Sequence, residues 1–265
     1  MKRMMSVVLS IVCLLAITGF VGRSDKADVP LRQETMAGKV LRVGAAFDAP
    51  PFAYYQKASD THIGFDVELM QGLGREMGYD KVEFVHTDYN DLLPSLQEGK
   101  VDAVISSRTV TDEQRKAADF TEPYLEGVKT VVLAPSGTES RSADVMRDKR
   151  IAVQAGSIHV NQAKQYSEAV IECGSAEEAV KLVLDKKADF AVMDNYTARF
   201  YMTNFYNDKL TVLADLPGDT ENNIGISVAK GNKEMLDKLN AALQNYCDTA
   251  AYYQIKRSYF GRLEV

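Results

Sequence analysis

The residues of this chain best suited to handling a small molecule sit in short polar clusters, each following an apolar run. Ser106-Ser107-Arg108-Thr109 follows the run Val101 to Ile105, and ligands of open α/β sheets bind at the carboxyl ends of strands. Gly156-Ser157-Ile158 follows Ile151 to Val153 and opens a helix. The N–H groups and dipole of a helix start favour an anion. Asp194 ends a third run, Phe190 to Met193, where a carboxylate either pairs with a cation or caps the next helix. These groups hold polar solutes. Catalysis needs a placed acid, base or nucleophile, and the only histidines are His62, His86 and His159. His159, two residues beyond Ser157, is the best placed, and an exposed first-turn helical residue is its plainer reading. No Gly-x-Ser-x-Gly or His-Glu-x-x-His pattern is present.

Short apolar runs alternating with helical periodicity position these clusters, which is the mark of an α/β protein. Val40 to Ala45 reads as the first strand and Pro50-Pro51 ends it. Gly64-Phe65-Asp66 opens a helix with Phe65, Leu69, Leu73 and Met77 on one face, acids in its first turn and Gly78 at its end. Strands are expected at Val82 to Val85, Val101 to Ile105 and Val128 to Leu133, with a helix over Asp91 to Glu98. A second set begins near Pro135. It comprises strand Ile151 to Val153, helix Ser175 to Leu184 with Ser175 and Glu178 as a capping box, strand Phe190 to Met193, strand Ile224 to Val228 and a helix carrying Leu236, Leu239, Leu243 and Tyr246. Two crossings between lobes follow from this order.

A chain of 265 residues suits two lobes better than one core. Its formal charge of −6, with no basic stripe interleaved with aromatics, argues against nucleic-acid binding. Lys2 and Arg3 precede the apolar run Val7 to Phe20, and the chain turns polar at Arg23-Ser24-Asp25-Lys26. That order reads as an export signal over residues 1–23, or alternatively an uncleaved anchor, followed by a linker over 24–38. Cys173 and Cys247 are the cysteines that remain after this segment. They are expected as separate half-buried thiols, with no disulfide framework and no metal spacing.

The run Gly64-Phe65-Asp66-Val67-Glu68-Leu69 resembles the periplasmic solute-binding proteins that serve polar-amino-acid ABC transporters. The resemblance recurs in Asp91-Leu92-Leu93-Pro94-Ser95-Leu96, Gly99-Lys100-Val101-Asp102-Ala103, Asp119-Phe120-Thr121-Glu122-Pro123-Tyr124, Gly156-Ser157, Lys187-Ala188-Asp189-Phe190-Ala191 and Tyr259-Phe260-Gly261. It implies a two-lobed periplasmic-binding-protein-like fold, two α/β lobes joined by two hinge strands. Lobe one spans 39–130 plus 224–265 and lobe two spans 131–223. The implied function is capture of an amino acid or amino-acid-like solute in a cleft that closes between the lobes. The implied protein is exported and monomeric, partners ABC transporter permease subunits, binds no nucleic acid and uses no metal or cofactor.

The resemblance also assigns roles. Tyr89 supplies a ring against the ligand side chain, and Ser106, Ser107 and Thr109 supply hydroxyl and N–H groups for the head group. Ser157 and Ile158 stand in the loop that meets the ligand carboxylate, and Asp194 pairs with the ammonium. Three departures stand out. Gln114 replaces an arginine that forks onto the carboxylate, Ile158 replaces a threonine, and Ala49 replaces a tyrosine. Phe47 is expected to restore the lost ring, and Arg108 or Arg115 the lost charge; Gln114 otherwise completes a capping box with Thr111. Together the departures point to a ligand other than a standard α-amino acid, or to one in a changed pose. The rival readings are an exported cyclohexadienyl-dehydratase-like enzyme on the same scaffold and a ligand-binding sensor component.

Overall fold

The structure is a computed structural model that describes residues 39–217 and 222–261. The export signal or anchor read over 1–23 and the linker over 24–38 lie outside the described residues. Two five-stranded sheets organise the chain. In the first, the order is Lys81–His86, Val40–Ala45, Ala103–Val104, Ser227–Ala229 and Ala118–Phe120. Its first three strands are parallel, while Ser227–Ala229 runs antiparallel to both neighbours. The second sheet is ordered Val170–Cys173, Ile151–Gln154, Phe190–Asp194, Thr130–Pro135 and Leu210–Asp215, with the last two antiparallel to what they flank.

The chain passes from the first sheet to the second and back through one antiparallel pair, Leu125–Val128 with Asn222–Ile224. This pair breaks two runs that periodicity reads as single strands. Val128 to Leu133 is interrupted at Lys129, whose N–H donates to Asn195 Oδ1 (3.1 Å) instead of to a ladder. Ile224 to Val228 is divided at Gly225-Ile226. A fully apolar run fits a buried strand at every position, so its pattern carries no sign of where one sheet hands over to another. Periodicity also leaves unread the short three-stranded antiparallel sheet of Asp48–Ala49, Ala53–Gln56 and Thr61–Ile63, and the final helix Ala250–Phe260.

The helix Phe65–Glu76 buries Phe65, Leu69, Met70 and Leu73 against the first sheet. Gly64 precedes it at φ 138°, where a Cβ would collide with the Phe52 carbonyl, so glycine is required there. Phe260, fully buried in the last helix, closes the same core with ring centroids 4.8 Å from Phe65, 5.4 Å from Phe52 and 4.6 Å from Tyr196. Tyr196 comes from the helix Asn195–Asn204 that follows the second sheet's central strand, so Phe260 packs against both halves. The second sheet is covered on its two faces by separate clusters around Val180 and Val183, and around Val153 and Val192. Helix Ala176–Leu184 is capped by Ser175 Oγ, which accepts from Glu178 N–H (3.1 Å). Glu178 reaches back to Gly174 N–H (2.8 Å), one residue beyond the expected capping box.

One residue on the buried face of the first helix is an acid. Asp66 is fully buried; its Oδ2 accepts from Ser107 N–H and its Oδ1 from the Tyr124 hydroxyl, both at 2.9 Å. Burial pushes its carboxyl up to about 7, against the lowering effect of the two hydrogen bonds.

Two expected outcomes follow from this packing. Phe260→Ala removes a ring held by three others and costs about 3–5 kcal/mol of unfolding free energy, read by urea denaturation. Because the Asp66 carboxyl is raised, the native state binds the proton more tightly than the unfolded chain does between the ordinary value of 3.8 and about 7. Stability relative to an Asp66→Asn variant therefore falls as pH rises through that window. Thermal melts of both proteins from pH 4 to 8 check this. Parallel curves for the two would show that Asp66 ionises normally.

Candidate functional site

The loop Ser106–Thr109 leaves the strand Ala103–Val104 and is fixed from below by Asp66. Ser107 adopts φ 44°, a left-handed conformation that is strained for a serine and is held there by its N–H bond to the carboxylate. Thr109 forms a bridge to Ile224, and Val110 N–H donates to Asn223 O (3.0 Å), so the loop is also pinned to a returning segment. Ser106 turns the other way. Its Oγ accepts from Ala46 N–H (3.4 Å), which ties it to the end of the first strand and keeps it out of the cavity, contrary to its expected role.

Arg108 departs furthest from the default of an exposed arginine. It is 5% exposed, with its guanidinium 4.0 Å above the Tyr89 ring and Nη2 donating to Tyr89 O (2.6 Å). With the Gln114 amide oriented to satisfy both its atoms, Oε1 accepts from Arg108 Nη1 (3.2 Å) and Nε2 donates to Thr109 O (2.5 Å). Gln114 thus braces Arg108 and the loop, while its own N–H is capped by Thr111 Oγ1 (3.2 Å). Neither residue lines the cavity. Arg115 is exposed on the helix Asp112–Ala117, 5.9 Å from the Phe120 ring centroid, and does not reach the site either. Phe47 is also absent from the cavity lining and stands instead in the groove beside it. At φ 57° its ring stacks on His62 (3.8 Å) and meets His86 edge-on (5.9 Å). The neighbouring Asp48 points across instead, accepting from Gln154 Nε2 (2.7 Å).

Gln154 ends a strand of the second sheet, and Ser157 closes the turn after it, donating from Oγ to Gln154 O (2.7 Å). Gly156 has φ 74°, and a Cβ there would collide with Asn90 Oδ1 from the segment that carries Tyr89, so backbone and side chain meet closely at this crossing. His159 is buried, not exposed. Its Nδ1 meets Gln162 Oε1 (3.2 Å) and its Nε2 lies 3.7 Å from Asp194 Oδ1. Asp194 occupies the residue before the helix Asn195–Asn204 with extended φ/ψ, yet its side chain makes no capping bond. The carboxylate is 14% exposed; burial raises its pKa and nearby His159 lowers it.

One cavity collects these groups from both sheets. Ala49, Tyr89, Ser107 and Thr109 line it from the first; Gln154, Ser157, Ile158, His159, Asp194 and Thr197 are among its lining from the second. Its volume is about 20 Å³, room for a water-sized group. Thr197 Oγ1 is buried with no hydrogen-bond partner among the described residues and faces this space. No lysine or arginine is in the lining, so its fixed charge is the single carboxylate of Asp194. Such a set can accept hydrogen bonds from an ammonium and donate weakly to neutral or anionic oxygens. Asp48, Gln154 and Thr197 were not readable as site residues, since none lies in a cluster with a distinctive spacing.

Cys173 and Cys247 are both free. Cys173 is buried with Sγ 3.1 Å from Val153 O, and burial pushes its thiol up to about 11. Among the described residues no group of three or more His, Cys, Asp or Glu side chains could hold a metal ion, and no helix is long and apolar enough to cross a membrane.

Known proteins share this architecture. A probable histidine-binding protein of Neisseria gonorrhoeae is 28% identical over 94% of this chain and 92% of its own length. The L-arginine-binding protein of Pseudomonas aeruginosa is 30% identical over 84% of this chain and 89% of its own. Among solved structures, an ancestral arginine-binding protein bound to arginine superposes with a TM-score of 0.77 at 32% identity, over 84% of this chain and 98% of the other. An ancestral amino acid-binding protein described as a precursor of cyclohexadienyl dehydratase gives 0.75 at 30% identity, over 83% and 95%. Residues 41–262 match the bacterial extracellular solute-binding proteins, family 3, and the chain belongs to that family.

Proposed function

We propose that this protein is the extracytoplasmic binding component of an ABC transporter and captures an amino acid or amino-acid-like solute in the cleft between its two sheets, which opens beyond the water-sized cavity of this closed arrangement to admit it. The observation that carries the reading is Asp194, a buried carboxylate at a helix start that does not cap the helix and instead faces a cavity lined from both sides. A ligand ammonium there gains a charge-assisted bond in a nearly dry site. Tyr89, held flat by Arg108, walls the same space, and the Ser107 and Thr109 hydroxyls reach the head group. A solute that touches both sides stabilises the closed arrangement over an open one, which lets membrane permease subunits distinguish loaded from empty protein. Export to the periplasm and a monomeric state fit this role.

The curated relatives bind amino acids under their own names, which supports the solute class. A second reading is an exported enzyme on the same scaffold. It is favoured by the buried His159–Asp194 pair, a histidine whose Nε2 lies 3.7 Å from a carboxylate, just outside hydrogen-bond reach. Turnover of a cyclohexadienyl acid that disappears in His159→Gln would select that reading.

Thermal unfolding of the protein against amino acids at millimolar concentration is the direct test. A micromolar ligand raises the unfolding free energy by roughly 4 kcal/mol at 1,000-fold excess over Kd, and Asp194→Asn abolishes the shift. No shift with any amino acid would defeat the reading.

A pH effect is also expected. Burial raises the Asp194 carboxyl, so on acidification it takes up a proton sooner than an ordinary carboxylate and loses its hold on the ligand ammonium; affinity therefore falls as pH drops. Calorimetric titration of the bound amino acid from pH 8 to 4 checks this, and an affinity that does not fall would mean that Asp194 does not pair with the ammonium.

A further inference from the structure

The strongest hydrogen-bond donors around the cavity are already engaged. Ser107 N–H donates to Asp66 Oδ2 (2.9 Å), Ser157 Oγ to Gln154 O (2.7 Å) and Gln154 Nε2 to Asp48 Oδ2 (2.7 Å). Arg108 belongs to the loop beside the cavity but not to its lining; the guanidinium donates to Tyr89 O (2.6 Å) and lies over the Tyr89 ring. The helix after Ser157 is six residues long, His159–Lys164, so little dipole stands behind its start. His159 is part of the lining, with Nε2 3.7 Å from Asp194 Oδ1, so any charge on it already faces a carboxylate.

What remains for a solute is neutral. Besides the Ser107 and Thr109 side chains there is Thr197, 1% exposed, whose Oγ1 has no hydrogen-bond partner among the described residues and faces the cavity. A buried hydroxyl in that state is costly until a ligand group meets it. The lining's fixed charge is Asp194, and its field extends beyond the lining: burial first, and the Asp194 charge after it, push the Asp66 carboxyl up to about 7. A solute carboxylate brought into this space would meet like charge with no lysine or arginine to offset it, which makes a buried ion expensive. An uncharged group meets no such cost.

We propose that the solute's ammonium, held by Asp194, stands beside an uncharged group instead of a carboxylate, and that the Thr197 hydroxyl meets this neutral group. The solute class is an amine of the amino-acid-amide or amino-alcohol kind. The proposal deepens the solute-binding reading above and rests on it. Hydroxyls both donate and accept, as do a carboxamide and an alcohol, whereas a carboxylate only accepts. The side chains of Ser107, Thr109 and Thr197 therefore match a neutral head group at both polarities.

Calorimetric titration at pH 7 with three matched pairs tests this: L-argininamide against L-arginine, L-glutaminamide against L-glutamine, and L-leucinamide against L-leucine. The α-amino group of an amide is mostly charged at that pH, so the members of a pair differ chiefly in the carboxylate. In each pair that binds, the amide binds at least about tenfold tighter than the free acid, which still binds. Thr197→Val keeps the shape of the side chain and weakens the amide several-fold. A preference for the amide that falls short of tenfold, or a preference for the acid, overturns the proposal and leaves the binding-protein reading standing. An amide affinity unmoved by Thr197→Val overturns the part given to that hydroxyl. If none of the six probes and no other amino acid binds, the binding-protein reading itself falls and takes this proposal with it.

Discussion

The buried carboxylate of Asp66 is the constraint on which the cleft depends. It is reached by three separate parts of the chain: the first long helix that carries it, the loop at Ser107 and the segment at Tyr124. Ser107 sits at a positive φ that few serines adopt, and the bond from its N–H to Asp66 holds it there. Ser107 in turn sets the direction of Arg108 and Thr109. A buried acid with two good donors is expensive to make and sharply destabilising to disturb, which makes it an effective way to specify one loop geometry.

From that loop outward, the site is shaped by which charges are turned in and which are turned away. Arg108 is spent on Tyr89 and Gln114, bracing an aromatic wall, and contributes nothing to the cavity lining. Gln114 acts as a brace and not as a ligand group. Asp194 and His159 face inward. An interior whose fixed charge is one carboxylate, with no arginine or lysine in its lining, favours a solute that brings its own positive charge.

The same arrangement explains how closure and binding can be coupled. Asp48 meets Gln154, and Asn90 meets Gly156, at contacts that join the first half of the fold to the second. These polar contacts stand beside aromatic ones, Phe260 with Tyr196 and Tyr54 with Phe200, and the chain crosses between the sheets through a single two-stranded ladder. Opening would break the polar contacts at the cavity, and a ligand bridging both sides would replace them.

Much of the scaffold was legible in the sequence. The strand Val40–Ala45 and the apolar face of Phe65, Leu69 and Leu73 follow from alternation and helical spacing, which are local properties. Tyr89, Ser107, Thr109, Ser157, Ile158 and Asp194 were picked from their places at strand ends and from family resemblance, and they do line one cavity. An acid at position 66, spaced with Leu69, Met70 and Leu73, was a visible sign of a buried charge, and its meaning needed Ser107 and Tyr124 to be placed beside it. Phe47, Ser106, Arg108, Gln114 and Arg115 were beyond local reasoning. Spacing gives the face a side chain stands on, but rotation of a strained loop and competition among partners distant in sequence decide what it meets. Asp48 shows the limit most clearly, because its partner Gln154 lies 106 residues away and only the folded chain could bring the two to 2.7 Å. The sequence by itself determined the α/β elements and the polar character of the cleft, since these follow from short-range pattern; tertiary structure decided which charges face the solute, since that depends on long-range contacts.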